Sequence, residues 1–232
     1  MIDPLVLEQL RHADSPTVAN VIELFGIRSR AAGFANDSLQ AVYPELPPAV
    51  GYAVTATFRS AYPSEHDSYA DMPALIQQAT TQPGPRIVVF QDLDEPPRAA
   101  TYGEVMATAF KTFGFAGIIT SGAARDIDQV RELNLPCWAS SVIVSHGYNR
   151  ILETQAPVTV GGLRIQPGEL IHADCNGIVQ IPLDIAPKVA GLCAPFMDAE
   201  RIVLDYLKTP GATPQGYAEA TRRMKAAIQE LL

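Results

Sequence analysis

The chain has 232 residues, 47% of them apolar and 18% charged, with a formal net charge of −8. That apolar content builds a buried core and excludes a disordered or collagen-like chain, and the length suits one large domain. The acidic excess repels nucleic-acid phosphates, and no apolar run approaches the roughly 18–20 residues of a membrane-crossing helix. MIDPLVLEQLRHAD at the start does not read as a secretory signal, so the expectation is a cytoplasmic protein that engages neither nucleic acid nor membrane.

Two short helices are expected to open the chain. Asp3-Pro4 reads as an N-cap with proline at the first helical position, and Ser15-Pro16 repeats that signal ahead of Val18, Val21, Ile22 and Phe25. Residues 26–48 lose periodicity and read as a surface excursion. GYAVTATFRS alternates β-branched residues as a strand does, residues 66–80 look helical, and RIVVFQD between PGP and DEPP reads as a buried strand followed by a loop through Pro97. GEVMATAFKTFG sets Val105, Met106, Ala109, Phe110 and Phe113 on one helical stripe and stops at Gly114. GFAGIIT, the turn SGAARD, a brief helix through Asp128 to Leu133 and a strand from Pro136 continue a βαβ-like alternation. Short strands at VTV, LRI, ELIHADC and GIVQIP then predict a second antiparallel or mixed sheet stacked beside the first, with helices outside. Helical spacing returns from Asp184 to Leu207 and from Pro214 to Leu232.

Chemistry concentrates in two pieces, the GEVMATA helix start and the SGAARD turn. Unpaired N–H groups and the positive dipole end at Glu104 to Met106 suit a small carboxylate. Arg125 offers a planar fork for a carboxylate or enolate oxygen, and Asp126 a hard oxygen for a magnesium-type ion. On spacing alone, Arg125 and Asp126 serve equally as a local ion pair or as a cap on the brief helix after them. Asp67 and Asp71, near His66, read as a solvated helix start. His172 and Asp174 share a strand face, with Asp174 shaping a hairpin turn beside Asn176 and Gly177; Trp138 reads as core or interface filler. Cys137, Cys175 and Cys193 form no CxxC pair and are expected to act as small buried hydrophobes.

The succession G-E-V-M-A-T-A, G-I-I-T-S-G-x-x-R-D and L-P-C-W-A resembles the family called regulator of ribonuclease activity A, which shares its fold with the class II 4-hydroxy-4-methyl-2-oxoglutarate aldolases. The resemblance extends to TVANVIELFG, GYAVTATF and GGLRIQPGELIHADCNGIVQIP, covering residues 15–208 of a chain read as one domain, 1–232. It implies an α/β fold of the β/β/α swivelling type, with mixed and antiparallel sheets flanked by helices, assembled as a homotrimer or homohexamer with sites at subunit boundaries. By the same resemblance, Gly103, Glu104, Val105 and Met106 bind the substrate carboxylate, Arg125 binds the keto acid, and Asp126 anchors a divalent metal, magnesium or else manganese. Glu104 orients metal-bound water, and Glu200 in FMDAERIVL matches the acid that arrives from an adjacent subunit.

What this implies is a metal-dependent lyase that cleaves 4-hydroxy-2-keto acids to a pyruvate enolate and also decarboxylates oxaloacetate, with no Schiff-base lysine. The alternative is a non-catalytic regulator that contacts an endoribonuclease; its acidity would suit a basic partner segment. A methyltransferase is not the reading the sequence favours, since no glycine-rich nucleotide loop follows an early strand. Two positions depart from the family pattern: Ser121 stands where an acid or amide is frequent, and Asn20 where aspartate is frequent.

Overall fold

The structure, a computed structural model, describes residues 2–63 and 68–232, with side chains for all of these except 68–70. In chain order the elements are α1 (Pro4–Arg11), α2 (Ser15–Leu24), β1 (Gln40–Ala41), β2 (Ala49–Arg59), α3 (Ser68–Thr80), β3 (Arg86–Asp92), β4 (Ala100–Tyr102) and α4 (Glu104–Thr112). There follow β5 (Phe115–Thr120), β6 (Ala123–Ala124), α5 (Ile127–Glu132), β7 (Cys137–Ala139), β8 (Ser141–Val142) and β9 (Arg150–Thr154). The chain closes with β10 (Val158–Val160), β11 (Leu163–Ile165), β12 (Leu170–Asp174), β13 (Gly177–Ile181), α6 (Ala186–Leu207) and α7 (Pro214–Gln229).

The main sheet runs β1-β7-β5-β3-β2-β12-β13, and β9 adds to β2. Strands β2, β3, β5 and β7 are mutually parallel, whereas β12, β13 and β9 run antiparallel to their neighbours. β2 is long enough to pair twice along one edge: Ala49 to Tyr52 with β12, and then Ala56 to Arg59 with β9 across a bulge. Its first ten residues are all buried, the signature of a strand covered on both faces. One face carries Val54, Phe58, Phe90 and Ile118 against α3, α4 and α5. Ala53, Val89, Ile119 and Trp138 on the other meet the β10–β11 hairpin. At the β12–β13 end, Val50, Leu170 and Ile181 pack beneath α1, α2 and α6.

The sequence expectation of a second full sheet is corrected here. Only β10 and β11 stand apart, as a two-stranded ribbon, because β12 finds the open edge of β2 and carries β13 into the main sheet. A small parallel sheet, β4-β6-β8, and the strand β9 were not expected. The α2 cap is Asp14, whose carboxylate accepts from Thr17 N at 2.8 Å, so Ser15 and Pro16 are the first helical residues instead. In α4 the buried row is Met106, Ala107 and Phe110; Val105 and Phe113 are exposed because the row through 105, 109 and 113 lies at the rim of this short helix. Cys137 and Cys193 are buried as expected, but Cys175 in the β12–β13 turn is exposed. His66 and Asp67 lie outside the described residues, and Asp71 sits in the first turn of α3. No helix among the described residues is long and apolar enough to cross a membrane.

Candidate active site

The two pieces singled out in the sequence meet because of the small sheet. β4 and β6 lie side by side and parallel, with Tyr102 opposite Ala124, so Gly103-Glu104 and Arg125-Asp126 leave the sheet together. Arg125 N–H donates to Tyr102 C=O at 3.1 Å and fixes that exit.

Asp126 adopts φ 55° and ψ 46°, a left-handed conformation that aspartate tolerates better than most residues. It stands at the N-cap position of α5, yet its side chain makes no cap bond. Oδ2 instead accepts from Glu104 N–H at 3.0 Å, the first free amide of α4, and lies 3.8 Å from Arg125 Nε. Capping of the following helix is thereby ruled out as the task of Asp126, while the pairing with Arg125 is present but long for an ion pair. Both side chains keep some contact with solvent, at 27% and 34% exposure.

Gly103 leaves room for both side chains at this crossing. A Cβ there would stand 2.4 Å from Asp126 Oδ2 and 2.9 Å from Arg125 Cγ and Nε. The helix start expected to hold an anion therefore already holds one carboxylate. What remains at the start of α4 are the amides of Val105 and Met106, whose own carbonyl partners would lie before the helix. The Glu104 and Val105 side chains are exposed, whereas that of Met106 is buried, so Met106 can serve a ligand only through its backbone.

The donor chemistry fits a hard cation that keeps most of its waters. Among the described residues no three His, Cys, Asp or Glu side chains gather as a metal cage, which disfavours a closed zinc-type site. A single carboxylate that keeps partial contact with solvent matches the one- or two-carboxylate habit of magnesium. Asp126 Oδ1 carries no hydrogen bond among the described residues.

Glu200 does not join this cluster within one chain. It lies on α6, which packs against α1, α2 and α7, and burial together with nearby Asp14 raises its carboxyl above the ordinary range. Ser121 has a local task, its Oγ accepting from Asp92 N–H at 2.9 Å. Asn20 is a half-buried residue of α2.

Two polar groupings go beyond what the sequence indicated. His172 is fully buried: Nε2–H points to the carbonyls of Leu10 and Ala13 at 3.1 Å, which leaves Nδ1 to accept from Ser15 Oγ at 3.0 Å. Asp174 shapes the hairpin turn as expected, accepting from Asn176 N–H at 2.7 Å, but also takes Ser15 N–H at 2.7 Å and so ties α2 to β12. The second grouping is Asp92 with Asp94 at the end of β3, for which the spacing D-x-D directly after an apolar strand was the available signal.

Known proteins resemble the chain in both sequence and fold. A protein of Hahella chejuensis, provisionally named 4-hydroxy-4-methyl-2-oxoglutarate aldolase, is 32% identical over 47% of this chain and 67% of its own length. Protein DlpA of Legionella pneumophila is 31% identical over 36% of this chain, a match spanning only 14% of that protein. The crystal structure of Streptomyces coelicolor RraAS2, described as an unusual member of the RNase ES inhibitor RraA protein family, superposes with a TM-score of 0.68 at 24% identity, covering 86% of this chain and 96% of its own. A family model described as Aldolase/RraA matches residues 17–180, and the chain belongs to this RraA-like family.

Proposed function

We propose that the chain is a divalent-metal-dependent lyase that cleaves 4-hydroxy-2-keto acids such as 4-hydroxy-4-methyl-2-oxoglutarate and also decarboxylates oxaloacetate. The observation that carries this reading is the Asp126 carboxylate, turned by a left-handed backbone away from its own helix and toward the start of α4, beside Arg125. The relative provisionally named as an aldolase supports the same reading.

Asp126 would hold the cation, magnesium or manganese, which when bound supplies Lewis-acid stabilisation of negative charge on the keto acid. Arg125 presents its fork to the substrate carboxylate or 2-oxo oxygen, and the amides of Val105 and Met106 orient the same anion. Glu104, whose side chain is exposed at the start of α4, would orient the water that takes the 4-hydroxyl proton. Loss of that proton lets the C4 oxygen form a carbonyl as the C3–C4 bond breaks; the pair from that bond passes to C3 as the enolate of pyruvate, which takes up a proton at C3 to give pyruvate. Decarboxylation of oxaloacetate leaves the same enolate, so one arrangement of donors serves both reactions.

A homotrimer or homohexamer would complete the site by bringing Glu200 from a neighbouring copy. Exposed Val105 beside the site, with exposed Val142 and Val144 on and after β8, offers an apolar surface for that contact. Purified protein incubated with magnesium or manganese and a panel of 4-hydroxy-2-keto acids plus oxaloacetate, with pyruvate coupled to a dehydrogenase, tests the proposal. Turnover that vanishes in Asp126→Ala is expected; no turnover of any substrate would favour the regulator reading instead.

A further inference from the structure

β4 and β6 do not pair residue for residue. Ala100 stands opposite Ala123 and Tyr102 opposite Ala124, so two steps along β4 match one along β6, and Thr101 is the extra residue. A bulge of this kind is rare between parallel strands, and β8 pairs with the other edge of β6 without one. The crossing of Glu104 with Asp126 depends on it. With the bulge closed, Thr101 would stand opposite Ala124 and Tyr102 opposite Arg125, and Glu104 would move on by one residue, roughly 3.3 Å. The 3.0 Å bond from Glu104 N–H to Asp126 Oδ2 does not survive such a slip. Register is ordinarily fixed by hydrophobic pattern and by turn geometry, and strands of three and two residues supply little of either.

The side chain of the bulged residue supplies what the ladder lacks. Thr101 is fully buried, and its Oγ1 lies 3.0 Å from Thr120 Oγ1 at the end of β5. Thr120 is fully buried as well, and its Oγ1 also accepts from Gly122 N–H at 2.9 Å. One chain of bonds therefore runs from the bulge in β4, through the last residue of β5, to the backbone just ahead of β6. A Cβ on residue 122 would run into Thr101 Oγ1, so the glycine of the SGAARD turn leaves the space in which that hydroxyl sits. In the closed register Thr101 would take the place of Tyr102, whose side chain belongs to the apolar core of Met106, Phe110 and Ile118. Its hydroxyl would then be buried without Thr120, which costs free energy and disfavours the slip.

We propose that Thr101 and Thr120 are positioning residues whose hydroxyl pair pins the register of β4 on β6 and so sets the contact between Glu104 and Asp126. The structural part of this stands apart from any catalysis; its bearing on turnover rests on the lyase reading.

Amide hydrogen exchange at Glu104, followed by NMR on the intact isotope-labelled protein, tests the proposal. In Thr101→Val, of the same shape, and in Thr101→Ala, of smaller volume, exchange at Glu104 is expected to be about tenfold faster, the worth of one hydrogen bond to a charged group. The amides of Val88 and Val89 in β3 should be unchanged, and Thr101→Ser, which keeps the hydroxyl, should restore protection at Glu104. Equal exchange at Glu104 in parent and both variants, equal acceleration at Val88 and Val89, or no recovery in Thr101→Ser would overturn the proposal. Pyruvate release read in parallel is expected to fall in the same two variants and to recover in Thr101→Ser; a parent protein without turnover would refute the lyase reading and leave the exchange result standing.

Discussion

At the scale of single residues, Gly103 and Asp126 define the account. The Gly103→Ala methyl would meet Asp126 Oδ2 at 2.4 Å, so pyruvate release should fall more than tenfold although φ at this position is ordinary and the fold survives. Equal rates in variant and parent would show that the crossing is not catalytic. Two buried acids and bases set the pH dependence with opposite signs. His172 is held below its ordinary pKa of 6.5 by burial; the unfolded chain takes up that proton first, so the stability His172 contributes is complete above about 6.5 and is lost as pH falls below it. Asp92, raised to about 6 from 3.8, does the reverse: the folded state binds the proton first, so stability falls as pH rises from 3.8 to about 6 and the cost is complete above that. Asp92→Asn should therefore raise the melting temperature at pH 8, by at most about 3 kcal/mol of stability, with little gain at pH 4. A melting curve series across pH 4–8 reads both slopes. Thiol chemistry offers a further check, because Cys137 and Cys193 are buried with thiols pushed up to about 12 whereas Cys175 is exposed. Iodoacetamide should alkylate Cys175 alone in the folded protein and every cysteine after denaturation.

At the scale of elements, local signals in the sequence were reliable wherever local physics decides. RIVVFQD is a strand over the same residues predicted, and Asp3 caps α1 through Leu5 N–H at 2.9 Å. Long-range pairing was not legible: nothing in LIHAD says that its partner is the free edge of β2 rather than a separate sheet. The two-residue strands β6 and β8 carry no periodicity at all, yet β6 is what delivers Arg125 and Asp126 to the start of α4. Of the site, the residue types and their order were readable, and the juxtaposition was implied by resemblance. The sharing of the Glu104 amide with Asp126 was not, because it depends on one backbone torsion. Asp14 illustrates the same limit, capping α2 one residue before the Ser-Pro signal. Asp14→Ala should cost about 1 kcal/mol, a fall in melting temperature of roughly 2–4 °C for a chain of this size; an unchanged melting curve would contradict the cap.

For the whole molecule, the fold sets the Arg125–Asp126 crossing at the exit of the paired strands β4 and β6. The location of Glu200 on α6, remote in the chain's packing from α4 and α5, gives the assembly a role. Glu200→Gln should lower turnover while leaving the melting temperature within a degree or two, and mixing it with Asp126→Ala protein should restore part of the rate if the two residues meet across a subunit boundary. No restoration, with each variant inactive alone and copies shown to exchange, would place Glu200 outside the site.

The proposed function stands on Asp126 anchoring a divalent cation beside the start of α4. Manganese titration followed by electron paramagnetic resonance measures this without depending on the substrate's identity. The account predicts one bound ion per chain that is lost in the isosteric Asp126→Asn variant; equal manganese binding by the parent and the variant would contradict it.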